Sequence, residues 1–167
     1  EIEQTITYYN TQQVPLNEIY LHNWANAYQD QKSPMAKRLL ENYDRSLYFA
    51  KTEEKGYSDI RYITIDGWDV PFDTLPKIPD IVKVTLLKTL YPNDSVTLRA
   101  SYLVKVPEDD FTGYGNQDNN YMLRFWYLIP AVYDGSWNLM SNLDMDDIYV
   151  NPSDFQIEFS MPRGFTL

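Results

Sequence analysis

No cysteine occurs in this chain, and histidine occurs once. The first absence excludes a disulfide-stapled scaffold, a thiol nucleophile, zinc fingers and iron–sulfur clusters. The second leaves His22 without a companion for a soft-metal site, and it reads as a surface or boundary residue. Basic side chains are scarce: 14 Lys and Arg stand against 24 Asp and Glu, giving a formal net charge of −10. A surface of that sign repels phosphate backbones, so no direct contact with nucleic acid is expected. Glycine is sparse, with six residues, and no G-x-x-x-x-G-K-[ST], G-x-G-x-x-G or G-x-S-x-G motif appears. Nucleotide binding and hydrolase-elbow chemistry therefore have no support. No run of about 18 apolar residues occurs that could cross a membrane as a helix.

What is present is ordinary globular chemistry with many aromatic rings. The 167 residues are 44% hydrophobic and include 15 tyrosines, seven phenylalanines and four tryptophans. That length suits one domain spanning residues 1–167. The chain opens Glu1-Ile2-Glu3, without an initiator methionine or a signal peptide. It is expected to be the soluble extracytoplasmic fragment of a longer membrane-anchored protein, touching a membrane only through a segment not included here. Charge is uneven: up to residue 105 there are 14 acids and 12 bases, and beyond it ten acids and two bases, Arg124 and Arg163.

Periodicity divides the chain in two. Residues 1–14 alternate weakly, as an edge strand or a linker would. Leu16, Ile19, Tyr20, Trp24, Ala27 and Tyr28 recur at spacings of three and four, which predicts a helix. Ser33-Pro34, followed by Met35, Leu39, Leu40 and Tyr43, predicts a second helix with a serine cap. After about residue 46 the period falls to two. Strands are expected at 58–65, closed by an Asp66-Gly67 turn, and at 81–91 and 96–106 as a hairpin through Pro92-Asn93-Asp94. Three prolines make 68–80 a loop or edge crossing. Residues 121–129 are apolar on both faces, which predicts a central strand. Tyr133-Asp134-Gly135-Ser136 reads as a hairpin turn, and Phe155, Ile157 and Phe159 as the last strand. The fold class expected is α+β, with N-terminal helices packed on a curved antiparallel sheet.

Few constellations suggest chemistry. Asp66, Asp69 and Asp73 surround Trp68, as carboxylates and a ring would in a sugar site, although such residues are also common in turns. Asp144, Asp146 and Asp147 could offer oxygens to calcium, but the EF-hand spacing and its glycine are missing. No catalytic, cofactor-binding or metal-ligating residue is assigned, and no cofactor is expected. If the protein has a working surface, the two acidic loops 107–120 and 142–151 are the first place to seek it. The interaction residues expected there are Glu108, Asp109, Asp110, Tyr114, Asp144, Asp146 and Asp147.

The order of helices before sheet resembles the NTF2-like fold. The stretch 96–106, an acidic loop, and then YMLRFWYLIPAVYDGSW from Tyr121 to Trp137 resembles the strand, apolar strand and D-G turn of TcpC-like conjugation proteins. Segments 22–28 and 36–43 are similar to that family's N-terminal helices. Asn151-Pro152-Ser153-Asp154-Phe155-Gln156-Ile157 resembles the N-P-L-G-F-x-V segment of VirB8-like proteins, with Ser153-Asp154 in place of Leu-Gly. The resemblance implies a non-enzymatic scaffold of a conjugative, type IV secretion channel, anchored at the outer face of the bacterial membrane. Its partners would be other subunits of that complex and copies of itself. Two alternatives stand beside it: an NTF2-like small-molecule-binding domain or enzyme, and a viral or phage structural protein.

Overall fold

The computed structural model describes residues 1–144 and 149–166. The chain is mainly antiparallel β-structure with a few short helices, and it starts with a strand. One four-stranded sheet runs in the order β1 (Ile2–Tyr9), β7 (Ser95–Lys105), β3 (Tyr57–Ile65), β4 (Trp68–Asp69). A second runs β10 (Ile129–Pro130), β2 (Leu16–His22), β6 (Ile78–Leu90), β5 (Phe72–Leu75). A small hairpin joins β8 (Gly115–Gln117) to β9 (Asn120–Met122). β1 alternates as a half-buried surface should: Ile6 and Tyr8 are buried, while Thr5, Thr7 and Tyr9 face out. Ile6, Ile63 and Leu98 from that sheet share one core with Ile19, Leu21, Val82 and Val84 from the second. Two inner faces closing on one apolar layer make a sandwich, and each such aliphatic side chain contributes roughly 1.5–3 kcal/mol by leaving water.

The two sheets are built from two pairs of strands that fold across together. β1 pairs with β7 in the first sheet, and β2 pairs with β6 in the second. Both connections, 10–15 and 91–94, turn at the same end, where Asn10 is fully buried. Its amide donates to the carbonyls of Val14 (2.9 Å) and Leu90 (3.0 Å), and its Oδ1 accepts from Gln12 N–H. Its backbone N–H donates to Asp94 O, and its carbonyl accepts from Asn93 N–H. Asn93 holds φ +67°, a left-handed conformation that asparagine tolerates. One side chain thus ties both crossovers.

Five sequence expectations are corrected. The helix expected over residues 16–28 is a strand followed by one 3₁₀ segment, Trp24–Tyr28. Ile19 and Leu21 alternate into the core as strand residues do. The three-residue step from Leu16 to Ile19, which mimics a helix, falls where the register against β6 shifts between Leu16 and Glu18. The helix expected next is real: α1 (Pro34–Glu41) is capped by Ser33 Oγ, which accepts from Ala36 N–H at 3.2 Å. It lies after two strands, so no N-terminal helices precede the sheet. With the short α2 (Ser46–Phe49) it covers a second, smaller core of Tyr28, Met35, Leu39, Leu47, Phe111 and Tyr114. Tyr43, expected on the buried face of α1, is exposed.

The central strand expected over 121–129 is also absent as such. Only β9 and β10 form there, and Phe125 at φ +54° breaks the extended course. The segment is apolar on both faces because it joins two surfaces. Leu128 enters the main core and Phe125 meets Trp24 edge-on, while Trp126 and Tyr127 face the C-terminal stretch. Finally, 81–91 and 96–106 are strands, but their turn carries the chain from one sheet to the other instead of closing a ladder.

Candidate contact surface

The two acidic loops meet, although only part of the expected set is available as surface. Asp109–Phe111 forms one 3₁₀ turn, and Phe111 anchors it in the smaller core. Gly115 passes so close to this turn that an added Cβ would lie 2.6 Å from Asp109 N, Glu108 C and Pro107 O. Glu108 and Asp110 are exposed, and Asp109 is half-buried. Tyr114 corrects the expectation of a contact residue: its ring is buried against Tyr28 at 5.3 Å. Burial pushes its hydroxyl well above the ordinary tyrosine range. Arg124 pairs with Asp144 and donates to Thr112 O at 3.3 Å, which joins the second loop to the first. Tyr28 OH and Thr112 Oγ1 sit 2.7 Å apart beneath this junction, and burial pushes Tyr28 up to about 12. Asp146 and Asp147 lie outside the described residues.

The buried titratable groups are used in holding the fold. Asp80 is fully buried, and its carboxylate accepts from Ser141 Oγ (2.8 Å) and from Asn142 N–H (2.6 Å). Burial raises its pKa, and those two donors oppose the rise. His22, also buried, stacks on Trp24 at 4.5 Å, so it is a core residue and not the surface histidine expected. Burial pushes it down to about 4, against a smaller opposite pull from the Met140 backbone. Among the described residues no three His, Asp or Glu side chains converge as a metal set.

The cluster around Trp68 is brought together only in part. Asp66 (φ +53°) and Gly67 form the expected turn between β3 and β4. Trp68 is 72% exposed and borders an open groove of about 800 Å³ with Asp66 and Asp69. Asp73 sits on the other sheet, opposite Lys83, so the three carboxylates do not form one site. Arg124, which a polar ligand pocket would set beside Asp66, does not line that groove and is engaged by Asp144.

A second surface lies elsewhere. Residues 149–162 carry no helix, strand or turn, 162–165 close a turn, and all of 149–166 is exposed except half-buried Val150. Phe155, Ile157 and Phe159 alternate with Gln156 and Glu158, so the period of two expected here is present although the pairing is not. Phe155 meets Tyr127 (5.2 Å), Tyr127 meets Trp126 (5.3 Å), and Trp126 meets Phe159 (5.7 Å). A continuous aromatic strip results, with Phe155 still 58% and Ile157 50% exposed. Beside it opens a groove of about 550 Å³, with β1 along one wall and 153–160 along the other. The sequence pattern placed Trp126 and Tyr127 on a central strand and Phe155 and Phe159 on the last one. The signal that could have found them was the density of large apolar residues after Tyr121, greater than the remaining sheet could cover.

The chain matches no family model, no curated protein and no solved structure.

Proposed function

We propose that this domain is a non-enzymatic assembly module that works through protein–protein contacts. The observation that carries the reading is the aromatic strip of Trp126, Tyr127, Phe155 and Phe159 with its exposed apolar neighbours. Contiguous exposed apolar surface on a sandwich with a complete core marks an interaction site, and tyrosine, tryptophan and phenylalanine are the residues enriched at such interfaces. The donors around Asp80 support binding over conversion, since they tie that carboxylate into the fold. Membership of a conjugative, type IV secretion channel at the outer face of a bacterial membrane is the finer form of this proposal. It rests on the sequence likeness of Tyr121–Trp137 and Asn151–Ile157 alone; the strand-first order removes the helical part of that resemblance, including the NTF2-like element order, and no continuous strand forms over 121–129 or 155–159.

The test is capture of partners from source cells by the tagged chain and by a double variant, Phe155→Ser with Phe159→Ser. Both positions lie outside the cores, so the variant should fold. The reading predicts that the variant loses the partners the native chain retains; equal capture by both would overturn it. A second reading, a structural protein of a virus or phage particle, is favoured by one observation. The strand pairs β1–β2 and β6–β7 cross together between two sheets, as in jelly rolls. Ordered self-assembly of the purified chain, read by light scattering and electron microscopy, would decide for it.

A further inference from the structure

We infer that the groove between β1 and residues 153–160 is a seat for one extended polypeptide strand whose side chains alternate between apolar and basic. This deepens the contact reading above and rests on it. β1 is the outer strand of its sheet, paired on one side only with β7. Its residues Glu1–Thr7 line the groove, and among the described residues none of their backbone groups bonds to 153–160. The opposite wall, 153–160, carries no helix, strand or turn and likewise has no backbone hydrogen bond among the described residues. An edge strand and a second unpaired backbone lining one groove are what an inserted strand would satisfy on both sides. The β1 wall, Glu1–Thr7, is long enough for roughly seven residues, about 23 Å.

The lining chooses the occupant. Its charged residues are Glu1, Glu3, Asp154 and Glu158, with no Lys, Arg or His among them. Glu1 is engaged by Arg61, and Glu3 accepts from Ser101 Oγ at 2.5 Å. Asp154 and Glu158 have no ion pair among the described residues and stand exposed on the outer wall. Phe155 and Phe159, bound to the Tyr127–Trp126 pair, supply an apolar face at alternate positions. A strand presenting apolar side chains to that face and lysine or arginine at intervening positions meets both requirements, and an acidic strand meets neither.

The probe is a synthetic peptide of about seven residues alternating lysine with valine or isoleucine, the length of the free edge. Binding is read by fluorescence anisotropy and its site by amide hydrogen exchange. The peptide should bind and slow exchange at residues 1–7 and 153–160. A version with glutamate for lysine, and one N-methylated along a single edge, should not bind. The double variant Asp154→Lys with Glu158→Lys, both exposed, should bind about tenfold more weakly, as reversed rim charges do. Absence of binding would overturn the inference. So would slow exchange at both walls in the free protein, which would mean that 153–160 is itself zipped onto β1. Concentration-dependent dimerisation protecting the same amides would overturn it in favour of a second copy. If the peptide fails while the Phe155/Phe159 variant still loses its partners, the strand seat falls and the contact reading stands; if capture also persists, both fall.

Discussion

Asn10 shows at one residue how the sandwich is held. Its amide reaches the carbonyl of Val14 in the 10–15 connection and that of Leu90 at the end of β6, and its backbone closes the opposite crossover. Asn10→Ala leaves the buried Leu90 carbonyl without this donor, and should lower stability by about 1–3 kcal/mol in urea unfolding. Asn10→Asp, of nearly the same shape, should be no better, since it sets a carboxylate against two carbonyls. His22 gives a second test. Its folded pKa is depressed to about 4 from an ordinary 6.5, so the unfolded chain binds the extra proton between those values. Stability should therefore fall as pH drops from 6.5 towards 4, by about 3 kcal/mol in all. Asp80 acts with opposite sign: its raised pKa means that the folded state takes up a proton first, which offsets part of the loss just above pH 3.8. In His22→Leu the slope between pH 6.5 and 5 should vanish; an unchanged slope would remove His22 as its source.

Among the elements, the loop at 107–117 makes the sharpest prediction. Gly115→Ala drives a methyl into backbone at 2.6 Å, a clash that flexible side chains cannot relieve. It should cost about 1–3 kcal/mol, roughly 2–9 °C in melting temperature. Gly135 has open space around its Cα position and φ +98°, so its alanine variant should suffer only from the dihedral. The strands β3, β6 and β7 were legible within a few residues because Asp66-Gly67 and Pro92-Asn93-Asp94 mark their ends, as was α1 because Ser33-Pro34 is a strong start. β2 was not legible, because a register shift gave strand residues a helical spacing. Residues 121–129 misled for a different reason: apolarity on two faces has more than one cause, and here one face serves the core and the other serves the C-terminal stretch. Of the contact residues expected, Glu108, Asp110 and Asp144 stand exposed on loops, as their charge would suggest. Tyr114 was misplaced because a tyrosine in a polar loop gives no sign of the helices that cover it.

At the scale of the whole molecule, charge and aromatic surface fall on the same side of the sequence. Ten of the 24 acids lie after residue 105, against two bases, and so does the aromatic strip. A partner that buries the strip must also meet negative charge, so its capture should weaken as salt rises. The distribution explains why composition alone suggested a docking surface but not its place: acids mark the rim, and the rings that carry the energy were indistinguishable from core. The most direct measurement is amide hydrogen exchange along the chain, alone and in complex with the partner fraction captured from source cells. Slowed exchange at residues 1–7, 121–127 and 153–160, with the Trp68 groove unchanged, is the expected result. Protection confined to the Trp68 groove or to the 107–120 loop, with 153–160 as open as in the free chain, would contradict it.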